Sequence, residues 1–141
     1  MLRRIVGALL VMGALAAPAL APPARADDDQ IDADLEACLD GEMTTQGMVE
    51  CFGAAYEAWD SALNDVYGQL RASLADDEAS ALRDAQRAWI AFRDAEQGFL
   101  ASLLKPDRGT MMRITVNAMM TDLVKARVLA LRSLADGEEE R

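Results

Sequence analysis

The 141-residue sequence predicts an all-α protein: an antiparallel three-helix bundle with a short, disulfide-tethered N-terminal segment. Three observations predict it. Apolar residues recur every three or four positions through three long stretches, as one buried helix face requires. Short polar breaks separate those stretches, so neighbouring helices fold back on one another. No stretch alternates apolar and polar residues as a half-buried strand does.

The chain opens with the pattern of a cleavable export signal. Arg3 and Arg4 precede an apolar run from Ile5 to Ala17, Pro18 breaks the run, and Ala24-Arg25-Ala26 fits the small-x-small cleavage rule. The run is too short for a membrane span, which needs about 20 residues. No cysteine stands at the cleavage point, so a lipid anchor is not expected. Cleavage after Ala26 would leave a periplasmic or secreted chain with no stable membrane insertion. Of 14 basic residues, Arg3, Arg4 and Arg25 go with the leader, leaving 11 against 24 acidic ones and a net charge of −13. Such a surface repels nucleic acid and draws in cationic partners at low salt. Acidity also keeps a small exported protein soluble.

Residues 27–43 form a polar segment. Ile31, Leu35, Cys38 and Leu39 have roughly helical spacing, which predicts a loose tail and then a turn or two of helix ending at Gly41. Cys38 and Cys51 are the two cysteines, and an oxidising compartment favours their pairing. That bridge would pin the segment to the start of the first long helix. The chain has no histidine, and two cysteines without CxxC spacing do not make a zinc site, so no metal or cofactor is expected.

Residues 44–135 form the helical domain. Thr44 or Thr45 is placed to cap a first long helix from about Gln46 to Leu74, with Met48, Phe52, Ala55, Trp59, Leu63, Val66 and Leu70 on its apolar face. Asp76-Asp77-Glu78 interrupts the pattern and favours a new helix start, where the macrodipole attracts anions. The second helix, about Asp77 to Leu103, reads as a seam of Leu82, Ala85, Trp89, Phe92, Glu96, Phe99 and Leu103. Lys105-Pro106-Asp107-Arg108-Gly109 is a turn. Thr110 would cap the third helix, about Met111 to Ala135, with Val116, Met120, Leu123, Leu131 and Leu134 as its apolar face and Lys125, Arg127 and Arg132 complementing its C-terminal dipole. Residues 136–141 read as an acidic, frayed tail.

Trp59, Trp89, Phe92 and Phe99 are expected in the core, and the methionines in packing and turn contacts rather than in a copper site. Charges on the seams need partners. Asn64, Tyr67, Gln86, Arg93, Glu96 and Arg127, with Asp60 and Asp94 nearby, are therefore expected to form a half-buried polar cluster whose plain role is to fix helix register. Catalysis is not expected: the sequence has no nucleophile elbow, no phosphate loop and no metal motif.

Two stretches resemble a known family. CFGAAYEAWDSALNDVYGQL, residues 51–70, carries a cysteine followed by Asp60, Leu63, Asn64 and Tyr67, and LRDAQRAWIAFRDAE, residues 82–96, carries Gln86, Arg87, Trp89, Arg93 and Asp94. Together with a leucine-rich run around Arg127, these resemble the lysozyme inhibitor LprI-like N-terminal domain family. The resemblance implies an exported, cysteine-bridged helical domain and, for some members, inhibition of lysozyme. Relatives usually carry two further cysteines, and Gln97 and Met119 hold those places here, so a function needing that second bridge would not carry over. The resemblance, with the acidic charge, thus implies an inhibitor or binder of a cationic lysozyme-type hydrolase, with Lys105 and Arg108 as candidate contacts. An envelope interaction or structural module without inhibitory activity is the alternative.

Overall fold

The computed structural model describes residues 24–139, and all of its long elements are helices: α1 (Ala24–Gly41), α2 (Thr45–Ser73), α3 (Asp76–Ser102) and α4 (Gly109–Glu139). A 3₁₀ turn, Pro106–Arg108, separates α3 from α4. Most of the expected leader lies outside the described residues, and residues 24–26 begin α1. The three-helix reading is therefore short by one helix. The segment taken for a loose tail is an 18-residue helix, and the tail expected after Ala135 continues α4 to Glu139.

The centre of the fold is the α2–α4 pair, which shares the largest interface. The two helices run parallel: Arg113 donates to Gln46 at 2.8 Å, and Thr121 Oγ1 reaches the Phe52 carbonyl at 3.1 Å, so both advance together. Trp59, Ala62, Leu63, Val66 and Leu70 of α2 interlock with Val124, Val128 and Leu131 of α4. Trp59, Val124 and Val128 are wholly buried. The α2 face agrees with the periodicity of the sequence. On α4 the buried stripe is Val116, Thr121, Val124, Val128 and Leu131, whereas Leu134 is exposed. Thr121 is tolerated there because its hydroxyl lies within bonding distance of both the Phe52 and Asn117 carbonyls.

α1 runs antiparallel to α2 and α4. The Cys38–Cys51 bridge closes one end, with Cα atoms 5.8 Å apart. Ile31 packs against the core. Lys125 Nζ meets both Asp32 oxygens at 2.6 and 2.8 Å and lies 5.5 Å from the Trp59 ring centroid. Arg132 pairs with Asp28, both side chains being 12% exposed. Lys125 and Arg132 thus bind α1 rather than complementing a helix end. Burial raises the Asp28 pKa above its ordinary 3.8, against the opposing pull of Arg132. The fold gains from protonating Asp28 as pH falls through that window and loses the gain as pH rises.

Local signals set the helix starts. Thr44 accepts from Gly47 N at 3.0 Å and caps α2. The Glu78 carboxylate accepts from Ala75 N at 3.3 Å at the head of α3. Gly109, at φ 75°, supplies the left-handed residue that turns the 3₁₀ segment into α4, so Thr110 falls inside the first turn instead of capping it.

α3 lies antiparallel to the central pair and touches it sparingly. Only Gln86 and Leu100 are buried on it, while Phe92 and Phe99 are 52% and 56% exposed. Its inward stripe is Leu82, Gln86, Trp89, Arg93, Glu96, Leu100 and Leu103, not the stripe through Ala85, Phe92 and Phe99. Phe92 and Phe99 are therefore not core residues, and Trp89 is half-buried.

Two measurements check this packing. Phe92→Ser and Phe99→Ser should each lower unfolding free energy by less than about 1 kcal/mol, whereas Leu100→Ala should cost about 2–5 kcal/mol. The paired variant Cys38→Ser/Cys51→Ser should lose about 3 kcal/mol in urea titration, because the bridge closes a short loop.

Candidate functional site

The register of α3 follows from what the α2–α4 pair offers it. Tyr56 and Asp60 project from α2, and Arg127 from α4. Gln97 Nε2 donates to the Tyr56 hydroxyl at 2.8 Å. Arg93 reaches Asp60 at 3.4 Å and its neighbour Asp94 at 2.8 Å. Arg127 Nε donates to Gln86 Oε1 at 3.0 Å. These three polar rungs lie at successive levels. Rotating α3 to bury Phe92 and Phe99 would break all of them and leave half-buried charges unpaired.

Trp89 stands between the rungs. The guanidinium carbons of Arg93 and Arg127 lie 5.6 and 5.8 Å from its ring centroid. Each contact is worth about 0.5–2 kcal/mol. Burial holds the Arg127 pKa below its ordinary value, although arginine stays charged at neutral pH. Arg127 has Gln86 and the indole as neighbours and no carboxylate within 4 Å among the described residues. The cluster holds cations against an aromatic face and bonds them to amide and carboxylate oxygens. It contains no nucleophile and base in contact.

Of the six residues expected to cluster, the structure joins Gln86, Arg93 and Arg127, with Asp60 and Asp94 as their partners. Asn64 is exposed and donates to the Asp60 carbonyl of its own helix at 2.9 Å. Tyr67 packs half-buried against the apolar core. Glu96 turns into a separate groove with Phe92, Leu100, Met119, Asp122 and Leu123. Trp89, read from the sequence as core, is the platform of the cluster. The alternating spacing of Gln86, Trp89 and Arg93 was the signal for it, one position along from the more apolar stripe.

Gln97 and Met119 line different pockets among the described residues. Gln97 borders a pocket with Tyr56, Asn117, Met120 and Thr121, whereas Met119 borders the Glu96 groove. The Gln97–Tyr56 hydrogen bond ties α3 to α2 at that level.

Lys105 and Arg108 lie on the exposed turn between α3 and α4. Neither side chain has a hydrogen-bond or ionic partner among the described residues. A shallow pocket beside them is lined by Leu104, Pro106, Gly109 and Arg113. The α1–α2 connection occupies the same end of the bundle, since Gln46 at the head of α2 bonds Arg113 at the head of α4. Met43 and Met111, 92% and 70% exposed, belong to this end as well. No group of three or more metal-ligating side chains occurs among the described residues, and no described helix is long and apolar enough to cross a membrane.

The cluster makes a testable statement about attachment. Replacing Arg127 with Met or Gln86 with Leu should each destabilise the fold by about 1–3 kcal/mol. The double variant should cost less than the sum, and a double-mutant cycle in urea should show that coupling.

Comparison with known proteins bears on both regions. A model of the family described as "Lysozyme inhibitor LprI" matches residues 36–131, more than half of the chain. No curated protein matches. A crystal structure of an uncharacterized protein from Burkholderia thailandensis matches with a TM-score of 0.71 and 27% identity. The match covers 77% of this chain and 54% of that one, so this chain spans about half the length of the solved protein.

Proposed function

Because the chain belongs to the lysozyme inhibitor LprI family, we propose that it is an exported domain that binds and inhibits a cationic lysozyme-type cell-wall hydrolase. The family match over residues 36–131 is the observation that carries this reading. Charge supports it. The chain's net charge of −10 draws a basic enzyme toward it and speeds encounter at low salt. Hydrolases that cleave glycosidic bonds commonly work with paired carboxylates in a cleft. An inhibitor needs a compact basic projection to meet them, and Lys105 and Arg108 on the Pro106–Arg108 turn have that form. In this reading the domain acts by occupying a cleft and performs no catalysis. Export follows from the N-terminal pattern of Arg3, Arg4 and the apolar run, with the acidic body working in the periplasm or outside the cell.

The exposed Phe92, Phe99 and Met119 favour a second reading, an envelope interaction module without inhibitory activity. A lysozyme turbidity assay separates the two. Under inhibition, excess protein slows clearing of a cell suspension at low salt, and added salt weakens the effect. Lys105→Glu/Arg108→Glu should raise the inhibition constant at least about tenfold. Full lysozyme activity in the presence of molar excess would overturn the inhibitor reading and leave the interaction module.

A further inference from the structure

The outer groove between α3 and α4 combines two features that neither the core nor the Trp89 cluster explains. Its walls are apolar and open: Phe92 is 52% exposed and Met119 48%, with Leu123 half-buried between the helices. Phe99, two turns beyond Phe92, extends the apolar stripe. Two carboxylates, Glu96 and Asp122, also line it. Neither has a hydrogen-bond or ionic partner among the described residues. Glu96 is half-buried beside Leu100, where an unpaired charge is costly.

We propose that this groove docks a basic amphipathic segment of a partner protein. Its apolar side chains would cover Phe92 and Met119, and its lysines or arginines would pair with Glu96 and Asp122. A helix presenting apolar residues on one stripe and cations on the next has that layout. Charge decides against the obvious alternative, a second copy of the chain. That copy brings the same carboxylates and the same net charge of −10 to the contact. A basic segment gains on both counts: it removes apolar surface from water and supplies the missing counter-charges. The groove is separate from the Lys105–Arg108 turn and does not depend on lysozyme being the partner.

The test uses the full exported chain and a synthetic helical peptide of about 14 residues, leucine on one face and lysine on the other. A second peptide carries glutamine in place of each lysine. Titration followed by amide and methyl NMR should show saturable binding of the lysine peptide, with shifts concentrated at Phe92, Glu96, Met119, Asp122 and Leu123. Glu96→Gln/Asp122→Asn should weaken it at least about tenfold, as should Phe92→Ser/Met119→Ser, and the glutamine peptide should bind as weakly as these. Asp65→Asn/Asp77→Asn removes the same charge elsewhere and should leave affinity unchanged. Equal weakening by that control pair would overturn the proposal in favour of general acidity. Shifts mapping to another face, or a dimer of the chain that Phe92→Ser/Met119→Ser dissociates, would also overturn it. All these positions are exposed or groove-lining, and an unchanged thermal transition for each variant confirms that it is folded.

Discussion

The contact between α2 and α4 around Trp59 is the constraint on which the rest of the structure depends. It is built from continuous apolar stripes on both sides. The indole of Trp59 is fully enclosed, and its nitrogen finds no acceptor among the described residues. That cost is tolerated because the ring fills the middle of the seam and carries Lys125 on its face. The other two helices are fastened to this pair by different means. α1 is held by a disulfide and two ion pairs. α3 is held by three polar rungs, a tryptophan flanked by two guanidinium groups, and a few apolar contacts through Leu82 and Leu100.

This division explains which parts of the fold were legible in the sequence. On α2 the apolar face is unambiguous, and Ala55, Trp59, Leu63, Val66 and Leu70 are buried where periodicity placed them. The cysteine pairing, and a helix cap at Thr44 or Thr45, were also readable, and the structure uses Thr44. On α3 two adjacent stripes compete. One holds Ala85, Phe92 and Phe99, the other Gln86, Arg93 and Leu100. Hydrophobicity alone selects the first. The structure adopts the second, because Tyr56, Asp60 and Arg127 wait on the facing helices, and those partners are far away in sequence. α1 was under-read for a related reason. Two of its attachments, to Lys125 and Arg132, come from about a hundred residues downstream, and its own composition is polar.

The shifted face of α3 has a consequence for the surface. Turning Gln86, Arg93 and Leu100 inward leaves Phe92 and Phe99 facing solvent, an exposed apolar stripe of the kind that marks contact surfaces. At the edge of the inward stripe, Glu96 lines the groove beside Phe92 and Met119. The bundle therefore presents two chemically distinct surfaces. One is a basic turn at the end where both inter-helix connections meet. The other is an acid-and-apolar groove along its side.

Native-state hydrogen exchange tests the central claim, that α2 and α4 form the stable pair and α3 is fastened to it by polar contacts. The amides of α2 and α4 around Trp59, Val66, Val124 and Val128 should exchange only through global unfolding. Those in the middle of α3, around Trp89 to Gln97, should exchange through a smaller opening at lower free energy. Equal protection of α3 and the central pair would contradict the account, because it would require α3 to be held as firmly as α2 and α4 hold each other.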